Sequence, residues 1–171
     1  MVLKPVSWAI ISVGSNIGAS LDNCRRGIDA LCDGRDIVLE ARSPFYRTEP
    51  VDYVDQDWFV NAAVKIHTRL SPFDLLTRTQ QVQRQFGRKL DSVRFGPRVL
   101  DLDIIFYQDL VLDTDTLVIP HPRMHKRRFV LQPICDIDPT IVHPVLGSNV
   151  QILLNQVVMQ GQQIEPCSFV C

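Results

Sequence analysis

Asp101 and Asp103 stand two residues apart in the run Val99-Leu100-Asp101-Leu102-Asp103-Ile104-Ile105-Phe106-Tyr107, directly after the arginine-bearing stretch Gly87-Arg88-Lys89-Leu90-Asp91-Ser92-Val93-Arg94-Phe95-Gly96-Pro97-Arg98. On a β-strand, residues i and i+2 point to one face. The two carboxylates are therefore expected to project together, with Leu100, Leu102, Ile104 and Phe106 turned to the core. Paired carboxylates beside arginines suit a divalent cation that grips a polyphosphate, because Mg²⁺ usually takes one or two carboxylates plus substrate oxygens. The chemistry this points to is nucleotide-dependent phosphoryl transfer.

Context, rather than the pattern itself, selects this pair. Asp-x-Asp also occurs at 55/57, 113/115 and 136/138, among residues such as Gln56, Thr114 and Pro139. There, solvated carboxylates in turns are expected. Only Asp101 and Asp103 lie inside an apolar, β-branched run. Positive charge is concentrated around them in sequence: Arg84, Arg88, Lys89, Arg94 and Arg98 form one group, Arg123, Lys126, Arg127 and Arg128 another, together nine of the eighteen Lys and Arg. Either group alone reads as a solvated face. Convergence on the aspartates would make them an anion site.

Several elements must position these residues. Trp8 to Val13 reads as a buried strand meeting a turn at Gly14-Ser15-Asn16-Ile17-Gly18. A helix capped by Ser20 comes next, with Leu21, Cys24, Ile28 and Leu31 on one face. The turn lacks both Gly-Lys-Ser/Thr and Gly-x-Gly-x-x-Gly, so it is not a common phosphate loop. Ile37 to Arg42 and Phe59 to Ile66 read as strands joined by an acidic loop through Pro50, Asp52, Asp55 and Asp57. In the second of them Val60, Ala62, Val64 and Ile66 share one face, which leaves Phe59 and Asn61 together on the other. An aromatic ring beside an amide can seat a heterocycle.

Ser71-Pro72 starts a second helix whose stripe is Leu75, Thr79, Val82 and Phe86 and which Gly87 ends. Beyond the aspartate strand come a turn at Gln108-Asp109, a short strand ending at Ile119, and Pro120-His121-Pro122. A helix through Arg127 to Leu131 and a last helix around Val150 to Leu154 complete the pattern. The order strand, helix, strand, strand, helix, strand predicts an α+β fold: a ferredoxin-like antiparallel sheet covered by helices, as one compact domain over 1–171, with a flexible tail at about 162–171.

The chain has 171 residues, 46% apolar and 22% charged, with a formal net charge of −1. That length carries its own core, and the charge excludes a global positive field for nucleic acid. Five cysteines show neither Cys-x-x-Cys spacing nor an even count, so reduced thiols are expected. No signal-peptide pattern or membrane-length apolar run is seen, and a cytoplasmic protein is expected.

Taken together, four segments resemble the 6-hydroxymethyl-7,8-dihydropterin pyrophosphokinases of folate synthesis. They are Val13-Gly14-Ser15-Asn16; Phe45-Tyr46-Arg47-Thr48-Glu49-Pro50-Val51 through Gln56 to Phe59-Val60-Asn61; Arg94-Phe95-Gly96-Pro97-Arg98-Val99-Leu100-Asp101-Leu102-Asp103; and Pro120-His121-Pro122-Arg123 through Arg127-Arg128-Phe129-Val130-Leu131. The third is highly specific. The resemblance implies transfer of the β,γ-pyrophosphoryl group of ATP, the co-substrate, to the hydroxymethyl oxygen of the reduced pterin, with release of AMP.

It also implies roles by position. Asp101 and Asp103 would hold two Mg²⁺ ions. Arg88 and Arg98 would contact the polyphosphate as catalytic arginines, and Gln80, Ile104, His121 and Arg127 would complete the ATP site. Phe59 and Phe129 would sandwich the pterin ring, with Asn61 bonding its amide-like edge and Thr48, Val51 and Phe95 contributing further contacts. Small-molecule substrates, no nucleic acid, no membrane and a monomer are the implied partners. The chain departs from the family pattern at Leu90, where a second loop arginine is common, and at Gln83, Phe95 and Asp52, where glutamate, tryptophan and glycine are usual. These departures bear on rate rather than on reaction. The Arg88 to Arg98 stretch is expected to be a loop that orders when ATP binds.

One rival is a ferredoxin-like sheet that binds single-stranded RNA through exposed aromatics and basic edges. Asp101 and Asp103 stand against it, because carboxylates repel a phosphate backbone. A family member that binds its ligands but regulates a partner is the other.

Overall fold

The computed structural model describes residues 5–51, 55–87, 96–158 and 162–167. Four long strands build the frame: β1 (Ser7–Ser15), β2 (Ile37–Arg42), β4 (Phe59–Thr68) and β5 (Asp101–Tyr107). They are rich in Ile, Val and aromatic residues, which suit a pleated, half-buried surface. β1 lies between β4 and β5 and pairs antiparallel with both. β2 and the short β3 (Tyr46–Thr48) lie end to end along the other side of β4. Between them Pro44 has no N–H to give a ladder. Ser43 bridges the gap, its N–H donating to the Ala63 carbonyl at 3.0 Å and its Oγ accepting the Ala63 N–H at 2.9 Å.

Helices cover both faces. α1 (Ser20–Leu31) and α2 (Pro72–Gln85) pack Cys24, Ile28, Leu31, Leu75 and Val82 against Ala9, Ile11, Val13, Ala62, Val64 and Ile66 of the sheet. α3 (Arg128–Ile137) and α4 (Val150–Val158) pack Val130, Leu131, Ile134, Val150 and Leu153 against Ile10, Ala63 and Ile105 on the other side. A small hairpin of β6 (Leu112–Asp113) and β7 (Val118–Ile119) stands apart from the main sheet. The antiparallel, helix-covered α+β fold read from the sequence is the fold observed.

Three local expectations are corrected. The core alternation of β5 does not run to its end, because β1 and β5 change register between Ile10 and Ile11: Ile11 pairs Ile104, whereas Ile10 pairs Phe106. The extra residue, Ile105, is a β-bulge and reverses the facing of the residues beyond it. Leu102 and Ile104 stay with the α1/α2 core, but Phe106 joins the α3/α4 core.

Ser20 is not the cap of α1. It is the first helical residue; Ala19 holds the cap position with no side-chain bond, and Asn23 secures the entry by donating to the Ile17 carbonyl at 2.9 Å. Ser71 does cap α2, its Oγ accepting the Asp74 N–H at 3.2 Å, with Pro72 in the first turn. Such a cap is worth about 1 kcal/mol.

The tail is not loose throughout. Ile164–Pro166 form β8, which adds to the outer edge of β3 with Tyr46 opposite Pro166 and Thr48 opposite Ile164.

Candidate active site

The register of three adjacent strands builds the floor of a cleft. Asp101 of β5 pairs Gly14 of β1, and Gly14 in turn pairs Asn61 of β4, so all three lie on one rung of the sheet. With neighbouring strands spaced by about 4.8 Å, the Asp101 and Asn61 backbones stand roughly 10 Å apart. On the next rung Asp103 pairs Ser12. Both aspartates are half-buried and face away from the α1/α2 core, toward the cleft.

Gly14 matters here because it has no side chain. A Cβ at this position would come within 2.7 Å of Asn61 Oδ1. The glycine keeps the rung open between the carboxylate and the amide. It lies inside β1 rather than in the turn expected at Gly14 to Gly18.

The cleft, of about 240 Å³, is walled by residues from both halves of the chain. Thr48, Glu49, Pro50 and Val51 form one wall, Phe59 and Asn61 part of the floor, and His121, Arg123, Arg127, Phe129 and Val130 the opposite wall. Asn61 is buried and donates from Nδ2 to Thr48 Oγ1 at 2.7 Å. This fixes the amide plane.

The Arg98 end of the cleft is equally organised. Arg98 presents Nη1 to Asp101 Oδ1 at 3.4 Å. Its backbone is clasped by Asn16, whose Oδ1 accepts the Arg98 N–H at 2.7 Å and whose N–H donates to the Arg98 carbonyl at 2.9 Å. Across the cleft, the Arg127 guanidinium lies 5.5 Å from the centroid of the Phe129 ring. His121 donates its N–H to the Ile105 carbonyl at 3.0 Å, so the bulge on β5 also anchors the histidine. Burial first, then the cations Arg127 and Arg123, push the His121 pKa down to about 4, against the opposing pull of Asp101. His121 is neutral at pH 7. Its Nδ1 accepts the Arg123 N–H at 3.2 Å, so the ring proton sits on Nε2, which can donate to an anion.

The structure thus brings Thr48, Val51, Phe59, Asn61, Arg98, Asp101, Asp103, His121, Arg127 and Phe129 around one cleft. Two expected ATP-site residues do not line it. Ile104 is buried in the α1/α2 core, and the bulge residue Ile105 lines the cleft in its place. Gln80 is exposed on α2, one position beyond the inward-facing Thr79 and so turned by about 100° toward solvent. Arg88 and Phe95 lie outside the described residues. Ser12, Gly14, Glu49, Pro50, Gln56, Gly96, Ile105, Arg123 and Val130 line the cleft without having been singled out for it. Gly14, Glu49, Pro50, Gln56, Gly96, Arg123 and Val130 fall in the segments that carried the resemblance, which was the available signal.

Asp101 and Asp103 offer hard oxygen donors on the cleft floor beside Arg98, a donor set that fits Mg²⁺ sharing its remaining positions with phosphate oxygens and water. Among the described residues no third His, Cys, Asp or Glu joins them in a metal-holding group. A closed all-protein cage is not what these residues build.

Comparison with known proteins agrees with this geometry. Residues 10–139 match the model of the 7,8-dihydro-6-hydroxymethylpterin-pyrophosphokinase (HPPK) family. The 2-amino-4-hydroxy-6-hydroxymethyldihydropteridine pyrophosphokinase of Bacillus subtilis is 43% identical over 129 residues, covering 75% of this chain and 77% of that protein. A folic acid synthesis protein of Schizosaccharomyces pombe is 38% identical over 153 residues, 90% of this chain but 21% of that protein, so the chain spans only about a fifth of this longer relative. The crystal structure of Plasmodium falciparum HPPK-DHPS shares the fold at a TM-score of 0.73 and 14% identity, over 92% of this chain and 46% of that one. With its own cleft built from the same segments that match, the chain belongs to the 7,8-dihydro-6-hydroxymethylpterin-pyrophosphokinase family.

Proposed function

We propose that the protein transfers the β,γ-pyrophosphoryl group of ATP to the hydroxymethyl oxygen of 6-hydroxymethyl-7,8-dihydropterin, giving AMP and the pterin diphosphate in folate synthesis. The single observation that carries the reading is the Asp101–Gly14–Asn61 rung. It sets a seat for a flat heterocycle beside a carboxylate pair suited to a polyphosphate-bound cation, with nothing but a glycine between them.

The pterin ring lies between Phe59 and Phe129, and Asn61, held by Thr48, reads its amide-like edge. Each aromatic contact adds about 1 kcal/mol beyond area burial. Thr48, Val51 and Phe95 complete this subsite. Arg98 and Arg127, with Arg88, take up the polyphosphate, because a planar guanidinium bonds phosphate oxygens in pairs. Neutral His121 donates from Nε2 at the same end. Asp101 and Asp103 would hold two Mg²⁺ ions. When bound, these ions neutralise the developing phosphate charge and align the attacking and leaving oxygens. Proximity, orientation and charge compensation supply most of the catalysis in phosphoryl transfer, which leaves little covalent work for side chains. The reading also takes the protein to act as a cytoplasmic monomer on small molecules, without nucleic acid. Among the described residues no helix is long and apolar enough to cross a membrane.

The test is AMP release from ATP and Mg²⁺ with and without 6-hydroxymethyl-7,8-dihydropterin. AMP formed only with the pterin is the expected result. ADP in place of AMP, or no turnover, would overturn the reading.

A further inference from the structure

The two walls of the pterin subsite belong to different parts of the fold. One is the end of β3 and the loop after it, with Thr48, Glu49 and Val51. The other is the start of α3, with Arg127 and Phe129. A short C-terminal segment, beyond the 10–139 stretch that matches the family, joins them.

Gln162 takes hold of the α3 wall. Its Oε1 accepts the Arg128 N–H at 2.8 Å, its Nε2 donates to the Lys126 carbonyl at 2.8 Å, and its backbone carbonyl accepts Arg128 Nη1 at 2.8 Å. The first of these bonds is a helix cap supplied from outside. α3 has no side-chain cap of its own, since its cap position is Arg127, and the first amides of any helix lack internal partners. The next residue grips the other wall. Gln163 donates its N–H to Glu49 Oε1 at 2.7 Å, and Glu49 returns its N–H to the Gln163 carbonyl at 3.3 Å. β8 then fastens the segment along β3.

We propose that Gln162 is a positioning residue for pterin recognition, acting through a Gln162–Gln163 strap that fixes the spacing between the Phe129 wall and the Thr48–Val51 wall. This rests on the assignment of the cleft to a pterin. The strap touches no substrate in this scheme. It sets the gap into which a flat ring must slide, so loosening either anchor widens the slot and weakens stacking. The Arg98 side of the polyphosphate end, held by Asn16, is anchored without the strap, and Arg127 alone of the polyphosphate arginines shares the α3 wall.

The experiment is a double-mutant cycle on Gln162→Ala and Glu49→Ala, reading AMP release with pterin and ATP varied separately, alongside the thermal midpoint. Glu49→Ala, which loses one side-chain hydrogen bond near 1 kcal/mol, should raise the pterin KM about fivefold, and Gln162→Ala, which loses two, about tenfold or more, while the ATP KM stays within about threefold. Because one strap cannot be released twice, the double variant should be no worse than the poorer single. Gln162→Glu keeps the acceptor for the Arg128 N–H but loses the donor to the Lys126 carbonyl, so it should recover only the Arg128 part of the loss. An unchanged pterin KM, additive losses, or pterin and ATP KM rising in parallel with a fall in thermal midpoint would each overturn the strap. If Gln162→Ala does not fold, Glu49→Ala and Gln162→Glu still give the pterin-against-ATP split. A wild-type protein that makes no AMP with the pterin would instead sink the assignment of the cleft, and not the strap within it.

Discussion

Asn16 clasps Arg98 with two bonds across 82 positions of sequence, its side-chain oxygen accepting the Arg98 N–H and its own N–H donating to the Arg98 carbonyl. Its amide nitrogen meanwhile donates to Gln56 Oε1 at 3.0 Å and to the Asp57 carbonyl at 3.1 Å. One buried side chain therefore ties Arg98, the arginine proposed to contact the polyphosphate, to the loop that leads into Phe59. Asn16→Asp keeps the acceptor and loses the donors. Gln56 can turn its own amide to compensate, but the Asp57 carbonyl cannot. The expected loss is about 2 kcal/mol in urea unfolding, with reduced turnover. A loss below about 0.5 kcal/mol would mean that water replaces the missing donor.

Asp101 and Asp103 are predicted to be indispensable for the reaction but not for folding. Both are half-buried on the cleft floor, and β5 is held by Leu102, Ile104 and Phe106 instead. Asp101→Asn or Asp103→Asn should cut AMP release at saturating Mg²⁺ by at least about 100-fold, with the thermal midpoint nearly unchanged. Retention of more than about a tenth of the activity would contradict the metal role.

Gly14→Ala should behave like Asn61→Ala. The new methyl would meet Asn61 Oδ1 at 2.7 Å, and the amide would have to leave both its place and its bond to Thr48 Oγ1. Titration with pterin should show about a tenfold weaker complex in either variant, while binding of ATP alone stays within about twofold. If ATP binding fell equally, the rung would be a structural element rather than a pterin seat.

Much of this arrangement was legible from local pattern. Strand alternation placed Phe59 with Asn61 and Asp101 with Asp103, and Ser71-Pro72 marked the start of α2, because each depends on residues close in sequence. The features that local pattern missed depend on partners distant in the chain. The bulge that turns Phe106 to the α3/α4 side exists only because β1 and β5 must both bury their apolar residues at one register. Gln80 has helical neighbours that define its exposure, yet nothing local says where ATP would reach. Gln162 is an ordinary amide until α3, which carries Arg128, folds beside it, 34 positions away in sequence.

Acid should destabilise the fold through three histidines, of which His143 is buried. His143 Nδ1 accepts the N–H groups of Val145 at 3.3 Å and Leu146 at 3.2 Å, which it can do only unprotonated, and its ring stands edge-on to Phe106 at 5.9 Å and to His125 at 6.2 Å. Burial, then His125, lower its pKa; burial, then Lys126, lower that of His125; and His121 falls to about 4. In each case the unfolded chain, titrating near 6.5, binds protons that the folded chain refuses. Stability is therefore fully present above about pH 6.5 and is lost as pH falls toward the folded values, which for His121 spans 6.5 to about 4. The urea midpoint should drop between pH 7.5 and 5.0. His143→Asn offers a non-titrating oxygen in place of Nδ1: it should be less stable at pH 7.5, through lost packing on Phe106, yet show a smaller drop toward pH 5.0. An undiminished drop would place the acid sensitivity in the other histidines or the carboxylates.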